Sequence, residues 1–185
     1  MKEQINISAE VSFIWETAEI IRDTYKKHQS QDIILPFVVL RRIESVLLEE
    51  RNKVEKLLGN SLSKLSPSDA KNIMSKKVQA SISFDNSSKF TFKILASEKD
   101  TAIKENFKSY VNGFTDNIKK ILDNFGILKE LNKLEKDKLI YPLIKQYAEL
   151  DLSPSVVSNQ KMGYIFEEVI RRFSEQTGEE AGEHF

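Results

Sequence analysis

The sequence contains no cysteine, and with that absence go disulfides, thiolate metal sites and cysteine nucleophiles. Nothing in it requires an oxidising compartment, so a cytoplasmic location is expected. Histidine is almost as scarce. His28 and His184 stand far apart and in no H-E-x-x-H or comparable ligand spacing, and no metal site is expected. Long apolar runs are missing too. The longest, "IILPFVVL" (33–40), is far short of the roughly 20 residues that span a bilayer, and the opening "MKEQINISAEVSF" has no apolar segment after Lys2 to serve as a signal peptide. A soluble protein without membrane contact is expected. Neither charge sign is in excess. Twenty-eight basic and 28 acidic side chains cancel, so no global field holds nucleic acid and any DNA contact must be local. G-x-S-x-G, the P-loop and G-x-G-x-x-G are all absent, which removes the sequence support for nucleophilic hydrolysis, nucleotide hydrolysis and Rossmann binding.

Glycine and proline are few, 6 and 4 in 185 residues, while 30% of the chain is charged and 40% hydrophobic. That is the composition of a helical protein. Residues 8–28 read as a first helix with Ser8 at its N-cap and Val11, Ile14, Trp15, Ala18, Ile21 and Tyr25 recurring at helical steps. A second is expected from Pro36 in its first turn to Leu58, with Leu40, Ile43, Leu47, Val54 and Leu58 as the apolar stripe, Glu44 among the residues facing elsewhere, and Gly59-Asn60 as the stop. Ser66-Pro67-Ser68-Asp69 marks a helix start running to about Ala80, and Asp85–Ser88 a turn. "KFTFKIL" alternates as a strand would, but a lone strand has no partner in this chain, so a short helix after Ser88 is favoured.

Further helices are expected over Thr101–Tyr110, Phe114–Phe125 (closed by Gly126), Ile127–Leu134 and Asp137–Leu150. "DLSPSVVSN" then forms a loop, and a last helix runs from about Lys161 to Glu175, capped by Ser158 or Asn159. The fold class is all-α, an irregular multi-helix bundle in a single domain.

Few side chains offer chemistry. Glu167 and Glu168 are adjacent on a helix and diverge by about 100°, so they cannot both face one reacting atom. Arg41-Arg42 and Arg171-Arg172 each follow an apolar run and could hold phosphates or carboxylates of a partner. They also have partners three or four residues away, Glu44 or Ser45 for Arg41 and Glu167, Glu168 or Glu175 for Arg171, and such local pairing is favoured. The lysines of 71–77, Lys76 and Lys77 among them, and of 89–108 are the better candidates for a DNA-facing surface. No catalytic residue is singled out. On these grounds alone the chain is a helical interaction module.

Three stretches in order, "FIWETAEIIRDTYKKHQSQDIILPFVVLRRIESVL", "IKENFKSYVNGFTDNIKKIL" and "DLSPSVVSNQKMGYIFEEVIRRFSEQTGEEAGEHF", resemble the modification (methyltransferase) subunits of type I restriction-modification systems. The resemblance implies a helical N-terminal domain, here 1–155, leading through a linking helix at 156–185 toward a Rossmann-like domain that uses S-adenosylmethionine to methylate adenine N6 in DNA. Gly182, Glu183, His184 and Phe185 resemble the first part of that family's cofactor-loop segment, and the Thr-Pro that completes it and the Asn-Pro-Pro-Phe type motif are not in the sequence. Glu183, His184 and Phe185 are thus an incomplete cofactor loop, and no cofactor is expected on these 185 residues themselves. The implied partners are a specificity subunit, a second modification subunit, a restriction subunit and double-stranded DNA. Arg41, Arg42, Lys76 and Lys77 are the candidate DNA or subunit contacts. The competing expectation is a free-standing helical adaptor that binds other proteins.

Overall fold

The computed structural model describes residues 4–98 and 102–183. Among them there is no strand, and the fold is all-α, as the composition and periodicity require. The elements are α1 (Ser8–Trp15), α2 (Thr17–Ile21), α3 (Gln31–Leu58), α4 (Pro67–Ile82), α5 (Phe92–Ser97), α6 (Ile103–Asn112), α7 (Asp116–Phe125), α8 (Leu131–Lys136), α9 (Ile140–Ala148) and α10 (Asn159–Glu183). Short 3₁₀ turns occupy Lys27–Gln29, Gly59–Lys64 and Ile127–Glu130.

The long α3 is the axis. It begins five residues before Pro36 rather than at it, so the ring lies inside the helix and removes one i→i−4 bond. Ile33, Ile34, Phe37 and Val38 around it are all buried, and their packing offsets that loss. Phe37 stacks on Phe107 of α6 (centroids 5.7 Å apart, planes at 7°) and touches Phe92 of α5 and Tyr147 of α9. This aromatic cluster is the centre of the core, with α5 laid against α9.

The first helix is shorter than the apolar spacing suggests. α1 and α2 are separated by Glu16, whose N–H is shared between the carbonyls of Ser12 and Phe13, and α2 ends at Ile21 rather than near residue 28. Lys26 is extended, and its N–H donates to the side chain of Gln29, which starts the 3₁₀ turn. Ser8 is the first helical residue, not the cap; its N–H donates to Asn6 Oδ1. Elsewhere the local signals act as expected. Ser66 Oγ accepts from Asp69 N to cap α4, Thr91 Oγ1 accepts from Ile94 N to cap α5, and Gly126 closes α7 at φ 69°, where a side chain would be strained.

α10 is longer than expected, 25 residues against the Lys161–Glu175 span, with Ser158 Oγ accepting from Lys161 N at its start. It packs along α1: Lys161 pairs with Glu10 at 2.5 Å, Trp15 lies 5.0 Å from Phe173, and Arg172 sits over the Trp15 ring.

Candidate functional site

Two groups of polar side chains stand out, one inside the bundle and one on its surface. The inner group grows from three α3 residues. Glu44, expected among the residues facing away from the stripe, is 2% exposed. It falls in register with Phe37, Leu40 and Leu47, so the helix carries it inward. Its carboxylate accepts from the Tyr110 hydroxyl (2.5 Å), from Arg41 Nη1 (2.7 Å) and from the Phe92 backbone N–H (3.0 Å). Burial pushes the Glu44 carboxyl above its ordinary range against the pull of those donors, and pushes the Tyr110 phenol well above its own.

Arg41 and Arg42 also turn inward. Arg41 Nε donates to Leu150 O at 2.7 Å and Nη2 to Ala148 O at 3.4 Å, which satisfies the carbonyls at the end of α9, while the guanidinium rests over the Phe92 ring. Arg42 Nη1 donates to Leu152 O and Val157 O, both at 2.6 Å, and Nη2 to Asn159 Oδ1 at 2.9 Å. Burial lowers the pKa of this guanidinium, and the Glu49 carboxylate opposes the shift. Glu49 in turn accepts from Ser155 N. The arginine pair therefore staples the 150–158 loop and the root of α10 to α3. Among the described residues no buried side-chain polar atom is left without a partner.

The outer group is α4 and its surroundings. Lys71, Lys76 and Lys77 are exposed there against a single acidic residue of the helix, Asp69. Among the described residues neither Lys76 nor Lys77 has an ion-pair partner. α10 carries the opposite balance, and its Arg171 is held by Glu168 and Glu175 while Arg172 is held by Glu168. Those hydrogen bonds from Arg171 and Arg172 bring the Glu168 carboxyl down to about 2.

Of the sequence-level candidates, Arg41 and Arg42 come together inside and Lys76 and Lys77 together outside, and the two pairs do not meet. Glu183 is the last residue of α10, and His184 and Phe185 lie outside the described residues. Gly182 is helical, with open space where a Cβ would stand. Glu44 was missed, although a carboxylate in step with Phe37, Leu40 and Leu47 was the available sign.

Among the described residues no three potential ligands cluster around a metal position, and no helix is long and apolar enough to cross a membrane. The family model of the HsdM N-terminal domain matches residues 11–146, from buried Val11 in α1 into α9, and takes in all four candidate contact residues. No curated protein and no solved structure matches the chain.

Proposed function

We propose that this chain, which belongs to the HsdM N-terminal domain family and hence to the N-terminal part of type I restriction-modification modification subunits, is the DNA-clamp and subunit-assembly domain of an adenine-N6 DNA methyltransferase. In this reading α4 faces the duplex. The observation that carries it is the split among the cations: Arg41 and Arg42 are bonded internally, whereas Lys76 and Lys77 are exposed and have no ion-pair partner among the described residues. Unpaired lysines on one helix contact phosphates without reading bases, which suits a domain whose sequence recognition is delegated to a specificity subunit.

Assembly with that subunit, a second modification subunit and the restriction subunit belongs to the same proposal. So does S-adenosylmethionine, which serves as methyl donor in the parent enzyme's catalytic domain. The helical residues described here hold the bundle and the root of α10 in place, and no step of methyl transfer is assigned to them.

Fluorescence anisotropy with a duplex of arbitrary sequence tests the DNA contact. Binding should weaken steeply with salt, and Lys76→Gln with Lys77→Gln should lower the slope of log K against log salt by about 1 to 2. Binding that ignores salt, or no binding, overturns the DNA-facing reading. Co-purification with the specificity subunit tests assembly, and capture only of unrelated proteins, with no effect of DNA, returns the chain to the adaptor reading.

A further inference from the structure

A groove of about 550 Å³ runs between α4 and a pair of loops, 85–89 and 113–115. Its far wall is held by backbone. Asn86 and Phe114 form an isolated antiparallel bridge, Ser87 N donates to Gly113 O at 2.7 Å and Thr115 N to Asp85 O at 3.0 Å. Asn86 Nδ2 ties the same loop to Tyr110 O. The single carboxylate lining the groove, Asp85, is matched by Arg51, whose Nε and Nη2 lie 3.1 and 2.5 Å from Oδ1. Two cations have no carboxylate partner among the described residues: Lys71 on the α4 wall, whose Nζ reaches Ser87 O at 3.4 Å, and Lys89 on the loop wall, whose Nζ lies 5.1 Å from the centre of the Phe90 ring. Ser75 Oγ accepts from Gln79 and Ser88 Oγ accepts from Phe90 N, so each hydroxyl retains its hydrogen for a further acceptor. A cleft with two cations and two available hydroxyls is a complement to an anion of several oxygens.

We propose that this groove seats a phosphodiester of the duplex, with Lys71 and Lys89 on opposite sides of the phosphate and Ser75 and Ser88 as neutral donors. The assignment rests on the DNA-facing reading of α4 and gives that reading a fixed point. Lys76, one turn beyond the groove-lining Asn72 on α4, then meets a neighbouring phosphate.

The test is duplex binding by the full 185-residue chain and by its Lys71→Gln, Lys89→Gln double variant, together with amide shifts of Ser87, Ser88 and Gly113 during titration. Both lysines are exposed and Gln keeps much of each stem, so the fold is retained. Loss of two phosphate contacts should lower the salt slope by about 1.8, so the affinity ratio of wild type to variant should shrink about twelvefold between 50 and 200 mM salt. The three amides should move with duplex in the wild type. A variant with the wild-type slope, in a chain that does bind DNA, overturns the groove assignment and leaves the DNA-facing reading standing. A wild-type chain without salt-sensitive binding overturns both. Amide shifts caused by inorganic phosphate but not by duplex overturn the phosphodiester and point to a free anion.

Discussion

Arg42→Met removes a guanidinium while keeping a stem of similar length, and it isolates what the inner node contributes. Three acceptors lose their donor: Leu152 O, Val157 O and Asn159 Oδ1. The residue is 8% exposed, so water cannot replace the guanidinium without opening the loop. Leaving a buried acceptor unmade costs about 1–3 kcal/mol, and with three acceptors affected and partial relaxation of the loop the total should be about 3–5 kcal/mol. At about 2–4 °C per kcal/mol for a chain of this length, the melting temperature should fall by about 6–20 °C. Urea denaturation followed by circular dichroism gives the free energy. Hydrogen exchange gives the location: amides of 152–162 should lose protection first, ahead of the α3 and α6 core. A loss below about 1 kcal/mol, or uniform loss of protection, would refute the staple.

Three further outcomes follow from the geometry. Folding raises the Glu44 pKa, so the protonated form is favoured in the native state and stability should fall as pH rises from the unfolded carboxyl value of about 4.3 through the folded one; Glu44→Gln should flatten that part of the stability–pH curve, and an unchanged curve counts against it. Glu168 behaves in the opposite sense: its carboxyl titrates near 2, so the stabilisation it adds is lost as pH drops from about 4.3 toward 2, and a carbon-detected NMR titration should return it to the ordinary range in the Arg171→Gln, Arg172→Gln variant. Gly113→Ala would set a Cβ 2.3 Å from Asn86 Oδ1 and 2.9 Å from Ser88 N, and should destabilise the chain by about 1–3 kcal/mol in urea; a neutral result would mean the bridge can slide apart.

The parts of the fold that were legible in the sequence are those governed by local chemistry. Ser66 ahead of Pro67, Gly126 after Phe125 and the loop around Pro154 act within a few residues of themselves, and the structure places them as read. "KFTFKIL" was ambiguous because alternation and helical spacing overlap in seven residues, and capping by Thr91 decides for helix. What escaped depends on distant partners. Pro36 sits inside α3 because buried neighbours hold the helix on both sides of it, and Glu44 is internal because Tyr110, Arg41 and the Phe92 N–H converge on it from three elements. Arg41 was expected to pair with Glu44, and does, but the carbonyls that it and Arg42 bind lie more than 100 residues away. The lysines of α4 were readable as a surface from their clustering alone. The groove beside them was not, since its second wall comes from the pairing of Asn86 with Phe114.

α10 is attached along one face, through Asn159 at its root and through buried Met162, Ile165, Val169 and Phe173. The helix is pinned near its base by Lys161 on Glu10 and again twelve residues on by Phe173 on Trp15, about 18 Å along the axis, and it continues to residue 183, about 33 Å from the first pin. For a rigid helix turning about its first contact, a sideways shift of 1 Å at the Trp15 contact becomes about 1.8 Å at residue 183. The packing of Trp15 on Phe173 therefore helps set the direction of the last turns of α10.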